Sequence, residues 1–197
     1  MTFRLGLTGS IGMGKSTTAK LFAQEGCAVW DADAAVHRLY AKGGAAVSPM
    51  AEAFPGAIDN GMVSREKLKE IIAQDPTALK RIEQIVHPLL GNDRAEFVEN
   101  AKSDILVFDI PLLYETGGEA RMDAVAVVSV DADTQRDRVL ARGTMSEQQF
   151  EAIRAKQMPD AEKRARADYV IVTDTLDHAR QQVQDVIADI RKRMKNA

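Results

Sequence analysis

The sequence predicts an α/β protein built on a doubly wound, five-stranded parallel sheet. Short apolar runs rich in β-branched residues alternate with segments of helical periodicity, an order typical of parallel strands joined by crossover helices. The chain has 197 residues, which is enough for one substantial core but too few for two ordinary independent domains. We therefore expect a single sheet with additional pieces inserted into it.

The first strand, helix and second strand form a βαβ unit. An apolar run at residues 2–8 is followed by a helical pattern at 15–25, and a second apolar run at 27–30 ends in Asp31-Ala-Asp33. The helix between the two runs supplies the crossover that parallel strands need. Three more buried strands are predicted at 105–109, 124–130 and 169–172, which brings the sheet to five.

Two helical segments interrupt this alternation. The longer one has helical periodicity and no strand run comparable to those of the sheet. The shorter one is polar and charged, and it begins with Ser146-Glu-Gln-Gln149, the pattern of a capping box. The sequence therefore divides into a core of residues 1–34, 104–142 and 167–197, a helical insert at 35–103 and a small helical lid at 143–166.

The composition excludes several classes of protein. Hydrophobic residues make up 45% and charged residues 28%, close to the averages of soluble globular proteins, which argues against disorder and membrane spanning. A net charge of −3 provides no overall positive field to attract nucleic acid. Cys27 is the single cysteine, so an internal disulfide and a multi-cysteine zinc site are excluded. We expect a cytoplasmic monomer without a nucleic-acid or membrane partner.

A phosphate-binding loop follows the first predicted strand. The segment Gly9-Ser-Ile-Gly12-Met-Gly14-Lys15-Ser16 matches the pattern G-x-x-x-x-G-K-[ST] between a strand and a helix. Its glycines let the backbone curl until successive N–H groups face a phosphate at the positive end of the helix. Lys15 is then placed to reach the β and γ phosphates, and the Ser16 hydroxyl to ligate Mg²⁺. The residues expected to bind the nucleotide here are Gly9, Gly12, Met13, Gly14, Lys15, Ser16 and Thr17.

The pattern predicts a P-loop NTPase core, and the acidic residues after the second strand suggest what receives the phosphate. A hydroxyl acceptor needs a carboxylate within hydrogen-bond reach to accept its proton. Asp31 and Asp33 are the candidates, since parallel strands present their carboxyl ends at the ligand-binding edge of a sheet. The alternative is that both residues cap the following helix. The rival dinucleotide pattern G-x-G-x-x-G fails because Thr17 stands at its last position.

Four further residues each have two interpretations. Asp109, at the end of the third strand, either contacts Mg²⁺ through water or caps the loop before Pro111. His87 either binds the last carbonyls of the preceding helix or hydrogen-bonds the acceptor. Leu112 and Tyr114 either line the acceptor pocket or pack in the core.

Two arginines near the start of the lid are candidate phosphate ligands. Arg138 and Arg142 are spaced to share one helical face, and transferring phosphates require such cations. Arg142 lies where a closing lid would bring it over the nucleotide, so we assign it a catalytic role beside Lys15. The alternative for both arginines is a solvated basic face. A lid at 143–166 would keep out the water that competes with the acceptor.

Taken together, these motifs resemble the dephospho-coenzyme A kinase family, a branch of the P-loop kinases similar to nucleoside-monophosphate kinases. The matching segments span nearly the whole chain, and their order is more specific than the phosphate loop alone. They are residues 6–16, Asp31-Ala-Asp33 with His37, Val86-His87-Pro88, Pro111-Leu-Leu-Tyr-Glu115, and Gln157 with Ala167-Asp168-Tyr-Val-Ile171.

The resemblance implies transfer of the γ-phosphate of ATP to the 3′-hydroxyl of the dephospho-coenzyme A ribose, with Mg²⁺ as the cofactor. It also implies that Asp33 is the catalytic carboxylate and that the 35–103 insert binds the acceptor. The residues assigned to the acceptor are Thr8, Asp33, His87, Leu112 and Tyr114.

One segment departs from the family pattern, and two other functions are alternatives to the one that the resemblance implies. The chain carries Thr173-Asp174-Thr175 where the family usually has an Asn and a nearby Gly, so the contacts to the adenine base stay open. A nucleoside or nucleoside-monophosphate kinase would have the same fold with a different acceptor. A GTP-driven switch would need the strings Asn-Lys-x-Asp and Asp-x-x-Gly, and neither occurs in the sequence.

Overall fold

A computed structural model describes residues 2–196, so residues 1 and 197, the two ends of the predicted core, lie outside the described range. The strands, numbered in chain order, are β1 Phe3–Thr8, β2 Ala28–Asp31, β3 Ile58–Asp59, β4 Met62–Val63, β5 Ile105–Asp109, β6 Ala124–Ser129 and β7 Tyr169–Val172. The helices are α1 Lys15–Gln24, α2 Ala32–Tyr40, α3 Val47–Ala53, α4 Arg65–Gln74, α5 Ala78–Asn100, α6 Ala132–Ala141, α7 Glu147–Lys156, α8 Asp160–Arg166 and α9 Leu176–Asn196. Short 3₁₀ turns occur at Pro55–Ala57 and Gly118–Arg121.

The described residues form two compact units. One contains the chain up to Trp30 together with everything from Ala101 onward, and the other is Asp31–Asn100. The first unit carries the five-stranded parallel sheet, in the order β2-β5-β1-β6-β7. The predicted α/β fold and its five strands are therefore confirmed.

The strand order places the third predicted strand next to the phosphate loop. β1 is central and pairs with β5 on one side and β6 on the other, while β2 is separated from β1 by β5. Leu7 of β1 pairs with Asp109 of β5, and Gly9 follows Leu7 by two residues. The Asp109 carboxylate therefore lies at the end of β5, close to the first residue of the phosphate loop. The sheet thus brings an acidic residue to the start of the phosphate loop.

Apolar side chains pack on both faces of the sheet. In β6, Ala124, Ala126 and Val128 belong to the main apolar core that α1 and α9 also form. Val125 and Val127 point the other way and pack with Leu113 and Tyr114. Since successive side chains of a strand face opposite sides, a strand covered on both faces reads as a continuous apolar run. This is why β6 was visible in the sequence.

The second unit has its own apolar core. Residues from α2, α3, α4 and α5 pack together, and Met50, which is fully buried, belongs to this cluster. A two-stranded antiparallel hairpin, β3 with β4, also contributes to this unit. Asn60 and Gly61, at its tip, both have positive φ angles, 48° and 77°. This is the backbone that an Asn-Gly hairpin turn requires, and the sequence analysis did not predict it.

Helix α5 corrects one interpretation of His87. The helix runs from Ala78 to Asn100 and contains Pro88 in its interior. His87 is therefore an exposed residue in the middle of a helix, not one that follows its end. The expectation that its imidazole satisfies terminal carbonyls is wrong, because the helix continues for three more turns.

No helix within residues 2–196 is long and apolar enough to cross a membrane.

Candidate nucleotide-binding site

The loop between β1 and α1 presents a row of unused backbone donors. Gly12 and Gly14 have φ angles of 78° and 90°, and Gly14 is the residue that precedes α1. Within the described residues, the N–H groups of Gly14, Lys15, Ser16 and Thr17 have no hydrogen-bond partner in the protein. They lie at the start of a helix, where the macrodipole is positive. The loop therefore offers four donors to one anion.

Close packing explains why two glycines occupy the loop. A Cβ atom on Gly14 would lie 3.0 Å from the Thr173 hydroxyl oxygen, and one on Gly12 would lie 2.5 Å from a Val139 methyl carbon. Both residues also have left-handed backbone angles that larger residues adopt at a cost of about 1–2 kcal/mol. The curl of the loop thus depends on glycine for space and for conformation.

The site contains a buried ion pair between Lys15 and Asp109. The Lys15 ammonium forms an ion pair with Asp109 Oδ1, and only 2% of the Asp109 side chain is exposed. An ionised carboxylate that is buried this deeply needs a cation beside it. Lys15, in turn, is held at the first turn of α1 next to the free N–H groups. The pair fixes the position of the lysine that the motif assigns to phosphate.

Two side-chain oxygen ligands near this ion pair are suited to a hard cation such as Mg²⁺. The Ser16 hydroxyl is exposed at the first turn of α1, and Asp109 ends the adjacent strand β5. Within residues 2–196, no group of three or more His, Cys, Asp or Glu side chains is arranged to hold a metal ion by itself. Mg²⁺ at phosphate sites takes one or two protein oxygens and completes its shell with phosphate and water. Ser16 and Asp109 therefore fit such an ion.

Contacts from distant elements hold the loop in place. The Ile11 N–H donates to Gln157 Oε1 at 3.0 Å, and the Ile11 carbonyl accepts from Gln135 Nε2 at 2.7 Å. The Thr173 hydroxyl donates to the Met13 carbonyl at 2.7 Å. None of these three contacts was predicted. Gln157 belonged to the family resemblance but had no assigned role, and Gln135 carried no signal in the sequence.

The two candidate arginines have different surroundings. The Arg138 guanidinium donates to the Thr173 hydroxyl at 3.1 Å and to the Thr173 carbonyl, so the solvated-face interpretation is wrong for it. Arg142, the C-cap residue of α6, is exposed. Its guanidinium has no hydrogen bond or ion pair with another residue in the described part of the chain. Arg142 is therefore available to a ligand, whereas Arg138 also braces the segment after β7.

Cavities lie on both sides of the phosphate loop. The smaller one has a volume of about 260 Å³ and adjoins the start of α1, α6 and the segment after β7. It is lined by Gly12, Gly14, Thr17, Thr18, Arg138, Arg142, Thr173, Thr175, Leu176 and Ala179. The larger one, of about 420 Å³, lies between the loop and α7 and α8, and Ser10, Gln135, Arg154, Gln157 and Asp160 are among its lining residues.

Asp31 and Asp33 have different surroundings. Asp31 caps α2, since its Oδ1 accepts from the Ala34 N–H at 2.9 Å, which confirms the capping interpretation for this residue. Asp33 lies in the first turn of α2, exposed to solvent. Its carboxylate has no hydrogen bond or ion pair to another of the residues 2–196, and the same holds for the exposed His37 side chain. Asp33 thus remains free for chemistry.

The residues predicted to bind the acceptor differ in exposure. Thr8 is fully buried, and its hydroxyl donates to the Pro111 carbonyl at 3.0 Å. Tyr114 is 6% exposed, with the Arg166 guanidinium 4.6 Å from its ring centre. Leu112 is 42% exposed. Packing accounts for the positions of Thr8 and Tyr114, and their assignment to the acceptor stays a prediction.

Known proteins similar to this chain point to one activity. A family model described as "Dephospho-CoA kinase" matches residues 3–178. Proteins of that name from Ruegeria pomeroyi and Cereibacter sphaeroides are 71% and 61% identical, over 97% and 96% of this chain and the same shares of theirs. The crystal structure of TT1252 from Thermus thermophilus matches with a TM-score of 0.85 at 30% identity, covering 95% of this chain and 97% of that one. The likeness therefore extends from β1 into α9.

The dependence of the loop on Gly14 is testable with a matched glycine. We expect Gly14→Ala to weaken the binding of magnesium nucleotide at least about tenfold, a change of roughly 1.4 kcal/mol, because the new Cβ meets Thr173 and shifts the free N–H groups. Gly26→Ala is the control, since Gly26 has a similar φ of 88° but nothing within 4 Å of the added atom. Isothermal titration calorimetry of both variants measures the difference. Equal affinities for the two variants would contradict this view of the loop.

Proposed function

The chain belongs to the dephospho-CoA kinase family, and we propose that it transfers the γ-phosphate of ATP to the 3′-hydroxyl of dephospho-CoA at the loop described above. The observation that carries this proposal is the row of four unpartnered N–H groups beside Lys15, in a chain that matches the family over residues 3–178. A row of fixed donors at a helix start binds phosphate without further reorganisation. The products of the reaction are ADP and coenzyme A.

Lys15 and Arg142 supply the positive charge of the proposed reaction. As the phosphoryl group leaves ADP, negative charge spreads over its oxygens and over the bridging oxygen, and nearby cations stabilise that state. Lys15 is held next to the loop by its ion pair with Asp109. Arg142, exposed and unpaired within residues 2–196, is the cation that a ligand can recruit. We assign Arg138 to the same nucleotide through its position on the smaller cavity.

Ser16 and Asp109 are the residues that would hold Mg²⁺. The ion would neutralise charge on the β and γ phosphates and keep them in one geometry. The exposed Ser16 hydroxyl is suited to direct ligation, while Asp109 is suited to a contact through water, because its carboxylate is already engaged by Lys15. Both residues supply the hard oxygen ligands that this cation prefers.

The cavity of about 260 Å³ is the proposed place of the nucleotide base. It is bounded by the glycines of the loop, Arg138 and the segment around Thr173. An arginine plane and an aliphatic wall, here Leu176, suit the two faces of a flat heterocycle. This segment is the one that departs from the family pattern. The Thr173 hydroxyl is already engaged by the Met13 carbonyl and Arg138, whereas the Thr175 hydroxyl accepts from the His178 N–H and keeps its hydrogen for the base.

We propose that Asp33 accepts the proton of the acceptor hydroxyl. A free, exposed carboxylate that follows a strand of the sheet is available for this role, and the resemblance singles out the same residue. Asp31, by contrast, is occupied as the cap of α2. The unit Asp31–Asn100, which includes most of the predicted 35–103 insert, is the proposed acceptor-binding part.

The proposed lid, residues 143–166, consists of α7 and α8, which differ in how firmly they are held. Lys163 of α8 is fully buried and pairs with Glu115 at 2.9 Å, and Asp160 accepts from Ser129 at 2.8 Å. Helix α7 is mostly exposed, with Phe150 as its one buried residue. We therefore propose α7 as the part that closes over the nucleotide and excludes water.

The acceptor is identified by comparing hydroxyl compounds in one assay. We expect coupled ADP release to be fast with dephospho-CoA and at least about a hundredfold slower with adenosine, AMP or water, because only the full acceptor is positioned as well as bound. Mass spectrometry of the product should show one added phosphate. A faster reaction with adenosine or AMP would overturn the proposal in favour of a nucleoside or nucleoside-monophosphate kinase.

The role of Asp33 is separable from that of its neighbour. Asp33→Asn should lower kcat about a hundredfold or more, the usual contribution of a general base, while the affinity for ATP stays unchanged. Asp31→Asn is the matched control, because asparagine also caps helices and should leave both parameters unaltered. Steady-state kinetics and calorimetry give the two values. Wild-type turnover in Asp33→Asn, with the chemical step shown to limit the rate, would exclude Asp33 as the base.

A further inference from the structure

The middle of the phosphate loop is held by two side chains from outside the loop. The Ile11 N–H donates to Gln157 Oε1 at 3.0 Å, and the Ile11 carbonyl accepts from Gln135 Nε2 at 2.7 Å. Each contact requires one orientation of its amide, since an N–H needs an oxygen and a carbonyl needs an NH₂ group. Both backbone polar groups of one residue are therefore fixed by glutamines.

The loop needs restraint of this kind because its own sequence supplies little. Gly12 and Gly14 follow Ile11, and glycine gives a chain the widest choice of backbone conformations. The internal contact of the turn is a hydrogen bond of 3.2 Å from the Met13 N–H to the Ser10 carbonyl. Donors that hold an anion are effective only when they are in place before the reaction, so that no reorganisation occurs during it. The hydrogen bonds from Gln135 and to Gln157, which hold Ile11 from outside the loop, meet this requirement.

Gln157 is itself held by a buried anchor. It is the C-cap residue of α7, and the next N–H, that of Met158, donates to Glu115 Oε1 at 2.9 Å. The same oxygen lies 2.9 Å from the ammonium of Lys163, whose side chain is fully buried. Burial alone raises the pKa of Glu115, but the contacts from Lys163 and the Met158 N–H outweigh it, and the pKa lies below its usual value. The Glu115 carboxylate is therefore ionised at neutral pH.

The anchor also touches the loop that follows Asp109. Glu115 belongs to the turn that follows β5. This strand ends at Asp109 and places the Asp109 carboxylate beside Lys15. Residues 157–163 thus contact the phosphate loop on one side and the segment after Asp109 on the other. Movement of this short segment would displace both at once.

We propose that Gln157 is a positioning residue for phosphoryl transfer, which acts through the Ile11 peptide while the Glu115–Lys163 ion pair holds its backbone in place. The proposal rests on the kinase function proposed above. It assigns to Gln157 no contact with ATP or with the acceptor. Its effect is on the arrangement of the loop that presents the donors to phosphate.

Two substitutions at the same position separate positioning from simple packing. Gln157→Met keeps the length of the side chain and removes the oxygen that accepts from Ile11, whereas Gln157→Glu keeps that oxygen. Gln24→Met, at the exposed C-terminal end of α1, is the control. The readouts are kcat and KM for ATP, the melting temperature, and hydrogen exchange at the Ile11 amide followed by NMR.

We expect Gln157→Met to lower kcat about tenfold or more, since small displacements of catalytic groups have large effects on rate. The Ile11 amide should exchange faster in this variant, with the melting temperature close to that of the wild type. Gln157→Glu should restore slow exchange at Ile11, because its carboxylate oxygen also accepts from this N–H, and Gln24→Met should match the wild type in every readout.

Two results would overturn the proposal. One is unchanged exchange at Ile11 in Gln157→Met, and the other is equally fast exchange at Ile11 in the Met and Glu variants. The exchange measurement requires no acceptor. Failure of the wild type to phosphorylate dephospho-CoA would therefore overturn the proposed function, whereas normal Ile11 exchange in Gln157→Met would overturn the positioning role alone.

Discussion

The site depends on the contact between the start of α1 and the buried carboxylate of Asp109. Four N–H groups without partners in residues 2–196 and one ammonium group are gathered within a single helical turn, an arrangement that attracts anions strongly. Asp109 keeps the ammonium of Lys15 beside them and balances its charge. The parallel pairing of β1 with β5, with Leu7 level with Asp109, is what allows this contact. The pairing of these two strands therefore brings the Asp109 carboxylate to Lys15.

Other parts of the first unit maintain that arrangement. Gln135 comes from α6, Gln157 from the end of α7 and Thr173 from the end of β7, and each contacts the backbone of the phosphate loop. A loop with three glycines has little order of its own, so its shape depends on these side chains. Because a preformed donor array costs no reorganisation during transfer, we propose that restraint of the loop contributes to catalysis.

Local patterns were predictable from the sequence, and long-range contacts were not. The five strands and the phosphate loop were readable because a buried strand and a glycine turn each leave a signal within a few residues. The contacts of Ile11 with Gln135 and Gln157 join residues 124 and 146 positions apart, and an isolated glutamine carries no such signal. Pro88 misled the interpretation of His87, since proline usually marks a helix boundary but here lies within α5. The division of labour between Asp31 and Asp33 required the position of α2 in the structure.

We propose that the free N–H groups at the start of α1 receive the phosphates of the nucleotide. NMR titration of ¹⁵N-labelled protein with magnesium nucleotide measures each of these groups separately. We expect the largest chemical shift changes at the amides of Gly14, Lys15, Ser16 and Thr17, with smaller changes around the cavity near Thr173. Saturable binding that leaves these four amides unchanged and shifts resonances elsewhere would contradict it.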